Sequence, residues 1–175
     1  MAQRDVEAFE RIVLPHLDDA YTLANYLLRN EHDAQDAVQD AVLRALRYFD
    51  GFRDGDARAW LLAIVRNCCH TWHRRNHANR ETVAYADAEG APQLHGSDDA
   101  DALAIQSSER AVIDRALAEL PLEFREVIVL RELQELSYKE ISTVTGVPIG
   151  TVRSRLARAR RRLASSLGLH AREVS

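Results

Sequence analysis

The sequence predicts an all-α protein made of two small helical domains joined by an acidic flexible linker. Three observations carry this expectation. With only 7 Gly, 4 Pro and 11 aromatic residues (2 Trp, 5 Tyr, 4 Phe) among 175, the composition suits helix better than sheet. Apolar residues recur along much of the chain with the i, i+3, i+4, i+7 spacing of an amphipathic helix. Residues 86–101, ADAEGAPQLHGSDDAD, are small, acidic and aperiodic, as a tether would be. At roughly 100 to 200 residues per domain, the length allows one domain or two small ones.

Taken in order, residues 8–28 supply one or two helical segments, with Pro15 placed where a helix can begin or kink. Residues 33–47, DAQDAVQDAVLRALR, set Ala34, Ala37, Val38, Ala41, Val42, Ala45 and Leu46 on one stripe and predict an amphipathic helix. The stretch FDGFRDGD at 49–56, with two glycines and alternating acids, reads as a loop. A helix over 57–77 follows, with Trp60, Leu61, Ile64, Val65, Cys68 and Trp72 tracing its buried side. These elements make a first domain of residues 1–80. The linker is assigned to 81–104 and the second domain to 105–170. There, 105–120 is helical, Pro121 interrupts, and 122–132 resumes with Phe124, Val127, Ile128 and Leu130 as apolar anchors.

The next stretch is the most informative. Ser137 and Glu140 form an S-x-x-E capping box opening a short helix whose Ile141 and Val144 face inward. Gly146 can take the left-handed conformation that ends it. A second helix from about residue 150 buries Val152, Leu156, Ala159 and Leu163 at i, i+4, i+7 and i+11. At about 100° per residue the opposite side presents Ser154, Ala157, Arg158 and Arg161, flanked by Thr151 and Arg153. This is a helix-turn-helix with a DNA-reading face. Arginine can pair with guanine O6 and N7, serine and threonine can contact bases or phosphates, and Ala157 leaves room for close approach. Arg155, Arg160 and Arg162 are assigned to phosphates.

The overall charge of −4 conceals an uneven distribution. Residues 1–57 hold 12 acids against 6 Lys or Arg (−6), and residues 58–80 hold 5 Arg and no acid (+5) with His70, His73 and His77. Residues 81–110 hold 7 acids and one Arg (−6), and 149–163 hold 6 Arg and no acid (+6). Two basic segments between acidic ones suggest two phosphate-facing surfaces, although arginines that merely solvate helix faces would leave the same pattern. Met1–Glu10 is charged and no apolar run approaches the ~18 residues of a membrane span, so the expectation is a cytoplasmic protein without signal peptide or membrane insertion. The only cysteines, Cys68 and Cys69, are adjacent, poorly placed to bridge each other, and expected to be reduced.

The segment over 120–163, LPLEFREVIVLRELQELSYKEISTVTGVPIGTVRSRLARARRRL, closely resembles the fourth conserved region of the extracytoplasmic-function sigma factors of the sigma-70 family. The family's LP, R, LR, LSYxEIA, turn glycine and GTVxSRLxRAR are nearly all present, with Ser142 replacing the commoner alanine. The resemblance implies that this helix reads the minus-thirty-five promoter element through Arg153, Ser154, Ala157 and Arg158. The first domain is similar to the family's second conserved region through DAQDAVQDAVLRALR, the Phe52 loop and AWLLAIVRNCCHTWHRR.

That second resemblance implies docking on core RNA polymerase, at the largest-subunit clamp coiled coil, through Asp36, Gln39, Asp40, Leu43 and Arg44, with the flap as a further contact. A solvated helix face is the alternative for those residues. It also implies capture of an unstacked minus-ten base by the loop around Phe52 and by Asn67, with Arg58, Arg66, Arg74 and Arg75 holding the melted backbone. Such a base needs an aromatic or apolar pocket and an amide to read its edge. Phe52, Trp60 and Trp72 could instead be core residues, a reading that favours the two tryptophans more than Phe52 in its glycine-rich loop. The linker's charge suits the basic RNA channel of polymerase, or a plain tether. Promoter DNA and an anti-sigma factor are the remaining partners implied.

Cys69, His73 and His77 at i, i+4 and i+8 could present metal ligands along one face, but a structural zinc site wants four. No cofactor, no metal and no catalytic residue is expected, since neither a nucleophilic triad nor a phosphate-cradling glycine loop is present. A stand-alone helix-turn-helix regulator that binds duplex DNA without polymerase is the competing reading.

Overall fold

The computed structural model describes residues 3–52, 55–82 and 102–173, and no strand occurs among them. The chain opens with α1 (Gln3–Val13), a single 3-10 turn (Leu14–His16) and α2 (Leu17–Leu28). Pro15 sits in that turn. Its missing N–H and fixed φ end one helix and permit the next, so the segment over 8–28 is two helices. Arg29 closes α2 at φ 59, left-handed despite its side chain. Asn30 then caps α3 (Glu31–Tyr48), its side chain accepting the Asp33 N–H at 3.0 Å. That cap starts the helix at Glu31, three residues before Ala34 opens the apolar stripe.

Ala34, Ala37, Ala41 and Ala45 form the buried edge of α3, small side chains that let it lie close against its neighbours. A 3-10 turn (Phe49–Gly51) leads towards α4 (Ala57–Thr82), where Asp56 accepts the Ala59 N–H at 3.0 Å. Ala59, Leu61, Leu62, Val65, Cys68 and Cys69 are its buried residues, while Trp60 and Trp72 pack at the margin of the core.

The second half consists of α5 (Ala102–Glu119), α6 (Leu122–Ile128), α7 (Tyr138–Thr145) and α8 (Ile149–Glu173). Pro121 caps α6, which runs into one π-helical turn (Val129–Leu133) before Glu135, at φ 57, turns the chain. The expected capping box is present: the Glu140 N–H donates to Ser137 Oγ at 3.2 Å and the Ser137 N–H to Glu140 Oε2 at 2.6 Å. Gly146 ends α7 at φ 71, and an added Cβ there would meet nothing within 4 Å. Glycine is needed at this position for its backbone, not for space. Ser142, where the family pattern has alanine, donates to the Val147 carbonyl at 2.6 Å and ties the turn to α7.

Helices α2, α3 and α4 pack together, as do α6, α7 and α8, but α4 also lies along α7 and α2 against α6. The buried side chains of both halves form one continuous apolar cluster. Arg125, on α6, is buried at the seam. Its guanidinium donates to the Leu117, Ala118 and Leu120 carbonyls at 2.8 to 3.0 Å and to the Tyr26 and Leu27 carbonyls at 3.3 and 3.4 Å. The last carbonyls of α2 and α5, which a helix end leaves unpaired, thus share one cation. Burial, with Arg29 nearby, pushes Arg125 down to about 10, so it stays charged at neutral pH. Most of the expected linker over 81–104 lies outside the described residues. Its two ends do not: they belong to α4 and α5.

Candidate nucleic-acid interface

The outer face of α8 is the more accessible of the two basic surfaces. Val152, Leu156 and Ala159 are buried and Leu163 is partly buried, which turns Arg153, Ser154, Ala157, Arg158 and Arg161 outward, with Thr151 half-buried at the edge. Ser154 Oγ donates to the Thr151 carbonyl at 3.0 Å, and the helix's own backbone satisfies the hydroxyl until a ligand offers more. A groove beside α8, lined by Arg158, Arg161, Arg162 and Ser165 together with Glu119, prolongs this basic face.

The three arginines assigned to phosphates each have a neighbour. Arg160 grips Glu132 Oε1 through Nε and Nη2 at 3.0 and 2.7 Å, Arg162 lies 5.2 Å from the Phe124 ring centroid, and Arg155 Nη1 is 4.0 Å from Glu126 Oε1. Arg153 has one too, in Tyr138. The ring of Tyr138 carries Arg131 at 5.2 Å and Arg153 at 5.8 Å from its centroid. Nothing in the helical arithmetic of α8 points to Tyr138 or Glu132, because both lie on other elements.

The basic residues of α4 separate into two sets. Asn67, Arg74 and Arg75 are exposed along one strip, joined through Thr71, whose Oγ1 donates to the Asn67 carbonyl at 2.9 Å and accepts from Arg74 Nη2 at 3.4 Å. Arg58 and Arg66 stand on another side, towards the second half of the chain. Arg58 Nε donates to Asp19 Oδ2 at 2.6 Å and Nη2 to the Gln134 carbonyl at 2.8 Å. Arg66 Nε donates to Glu126 Oε2 at 2.9 Å. Arg66 also donates through Nη1 to Asn67 Oδ1 at 3.4 Å and so links the two sets, while Arg58 stands apart from Arg74 and Arg75.

Phe52 is neither free nor wholly buried. It stacks on Phe49 at 6.2 Å and leans against Trp60 at 4.8 Å, and Phe49 in turn meets Phe9 edge-on at 5.3 Å. The result is an aromatic shelf beside the start of α4, half-open at Phe52.

On α3, Asp36, Gln39, Asp40 and Leu43 are exposed and Arg44 is half-buried, with Leu43 at 59% the least covered of its apolar residues after Tyr48 at 62%. Arg44 Nη2 meets Asp40 Oδ2 at 2.8 Å, and His32 meets Asp36 at 3.8 Å. Tyr48 extends the Asp40–Arg44 row by one more i+4 step, a signal present in the sequence but not used. Leu43 and Tyr48 thus place exposed apolar surface among charges on this face of α3.

Cys68 and Cys69 are buried, and burial pushes their thiols up to about 11 and about 12. His73 Nε2 meets the Leu27 carbonyl at 2.9 Å, and the side chain of His77 lies outside the described residues. Among the described residues no group of three His, Cys, Asp or Glu side chains is placed to hold a metal ion. No described helix is long and apolar enough to cross a membrane.

The sigma-70 region 2 profile matches residues 12–79 and the sigma-70 region 4 profile residues 110–163. The chain is 37% identical to the ECF RNA polymerase sigma factor SigM of Mycobacterium tuberculosis, over 94% of this chain and 79% of that protein. It is 33% identical to the ECF RNA polymerase sigma factor SigE of Mycolicibacterium smegmatis, covering 99% of this chain but only 66% of that relative's length. Among solved structures, the sigma factor RpoE in complex with the anti-sigma factor NepR from Bartonella quintana aligns with a TM-score of 0.78 and 26% identity, over 93% of this chain and 98% of that one. CnrH in complex with the cytosolic domain of CnrY aligns with a TM-score of 0.67 and 27% identity, over 93% and 89%. With both conserved regions in order, on a fold shared with sigma factors, the chain belongs to the extracytoplasmic-function RNA polymerase sigma factors.

Proposed function

We propose that this chain binds core RNA polymerase and directs it to promoters by reading two DNA elements with two separate surfaces. The observation that carries this reading is the exposed row Arg153, Ser154, Ala157, Arg158 and Arg161 on α8, held behind a capped turn and accompanied by a second basic surface on α4. The α8 row reads the minus-thirty-five duplex in the major groove, with Thr151 at its edge. The α4 surface meets melted minus-ten DNA: Phe52 and Trp60 offer a stacking shelf, Asn67 reads the edge of an unstacked base, and Arg74 and Arg75, joined by Arg58 and Arg66, hold the backbone. The α3 patch of Asp36, Gln39, Asp40, Leu43 and Arg44 docks on polymerase.

Strand opening on this reading draws on binding energy and needs no catalytic residue, so the chain is an initiation factor and not an enzyme. It works where polymerase works, in the cytoplasm. The solved relatives stand in complexes with an anti-sigma factor and with a cytosolic domain. An inhibitory partner of that kind fits this chain through the same α3 and α4 surfaces.

The experiment is to add the purified chain to sigma-free bacterial core polymerase and map transcription starts on a genomic fragment library. Discrete new starts are expected, sharing two sequence elements. Absence of polymerase binding together with tight duplex binding by the chain alone would favour the stand-alone regulator.

A further inference from the structure

Two of the arginines proposed to hold melted DNA are already engaged: Arg66 by Glu126 in the other half of the chain, and Arg58 by Asp19 in its own half and by the Gln134 carbonyl in the other. Glu126, on α6, is fully buried. Its Oε2 accepts from Arg66 Nε at 2.9 Å and meets His70 Nε2 at 2.7 Å. Its Oε1 has no hydrogen-bond partner and faces Arg155 Nη1 at 4.0 Å. Around this centre, Arg58 reaches the Gln134 carbonyl, Gln134 Nε2 donates to the Asp19 carbonyl at 2.6 Å, Tyr26 Oη donates to Asp114 Oδ1 at 3.0 Å, and Arg125 spans the carbonyls of both halves. Apart from the approach of Arg155 to Glu126, these contacts join the region 2 match to the region 4 match.

We infer that α6 and the turn that follows it, through Arg125, Glu126 and Gln134, are a docking surface for the chain's own α2 and α4, and that this closure competes with single-stranded DNA for Arg66 and, in part, for Arg58. The inference rests on the proposed minus-ten role of those arginines. A phosphate that drew Arg66 away in the closed state would leave a buried carboxylate short of its cation, a costly arrangement. Separation of the halves lets Glu126 reach water, frees Arg66 from it, and releases Arg58 from the Gln134 carbonyl while leaving its pair with Asp19 in place. The α8 face is untouched by the closure: Arg153, Ser154, Ala157, Arg158 and Arg161 remain exposed. The closed chain therefore presents its duplex-reading surface while withholding part of its strand-melting surface, and whatever holds the two halves apart switches the second on.

Full-length wild type and Glu126→Gln test this by small-angle scattering and by anisotropy titration of fluorescein-labelled mixed-sequence single-stranded DNA. Affinity falls in proportion to the competent fraction, so an open population of about 1 to 10% predicts about 10- to 100-fold tighter single-strand binding once the chain opens. Duplex binding should be unchanged. A variant as compact as wild type overturns the latch, and an opened variant with wild-type single-strand affinity overturns the competition. Adding Arg58→Ala and Arg66→Ala to the opened variant then separates the causes. Weaker binding keeps the minus-ten role and rejects only the competition; unchanged binding rejects the role itself. Should Glu126→Gln not fold, Arg125→Lys carries the same test, because an ammonium cannot serve carbonyls on two helix ends.

Discussion

Tyr138 should set the working geometry of Arg153. The ring sits at the first residue of α7, partly buried against the core, and carries the Arg153 guanidinium 5.8 Å from its centroid. Packing fixes the ring, so the ring narrows the conformations open to an otherwise exposed arginine. A cation–π contact at such a site contributes about 0.5 to 1 kcal/mol. Tyr138→Leu should therefore weaken binding to the minus-thirty-five duplex by about 2- to 5-fold, at 1.4 kcal/mol per tenfold. Arg153→Ala, which removes the proposed base contact itself, should cost about 1 to 3 kcal/mol. Tyr138→Phe keeps the ring and should stay near wild type.

The assay is a double-mutant cycle by anisotropy on one promoter duplex, at one salt concentration because phosphate contacts make affinity strongly salt-dependent. In the Arg153→Ala background, Tyr138→Leu should lose most of its effect. If it costs the same factor in both backgrounds, Tyr138 does not act through Arg153 and the positioning argument fails.

Hydrogen bonds from Ser137 hold the Glu140 carboxyl below its ordinary range, so its contribution to stability is present above about pH 4.5 and disappears as pH falls through the lowered value. Ser137→Ala should cost about 1 kcal/mol in urea unfolding at neutral pH and flatten that acid limb, whereas an unaltered limb would detach the capping box from it. Arg158→Ala should lose about 1 to 3 kcal/mol of discrimination between specific and scrambled duplex, while Arg162→Ala should weaken both alike. Equal losses on the two duplexes would remove Arg158 from the reading face. Asp40→Arg should lower affinity for core polymerase with only a small shift of the melting curve, since Asp40 lies outside the buried stripe of α3 and loses one exposed ion pair with Arg44, and wild-type affinity would take it off the docking patch. Cys68 and Cys69, protonated and buried, should resist thiol reagents at neutral pH until the chain unfolds; rapid labelling of the native protein would contradict their burial.

Much of the molecule could be read from local spacing. The alanine stripe of α3, the Ser137–Glu140 box, the left-handed Gly146 and the outward row of α8 all depend on residues within a few positions of one another, and an α-helix translates such spacing directly into a face. The helix-turn-helix and its candidate DNA contacts were therefore legible before any coordinates. Boundaries were less so: Asn30 began α3 early because a cap lies outside the apolar pattern it serves.

Local spacing, then, settles which residues are helical and which side of each helix is polar. Which polar residues meet one another was decided by the tertiary structure. Glu126 sits inside the apolar run from Phe124 to Leu130, where periodicity reads it as an interruption, yet the fold buries it between Arg66 and His70. Arg58 and Arg66 share a helix and a charge with Arg74 and Arg75, and only the packing of α7 over one side of α4, with Glu126 reaching across from α6, distinguishes them. The physical reason is one of range. Burial of apolar area repeats with the helical period and marks the sequence, whereas a charge pair between residues 60 positions apart leaves no periodic trace.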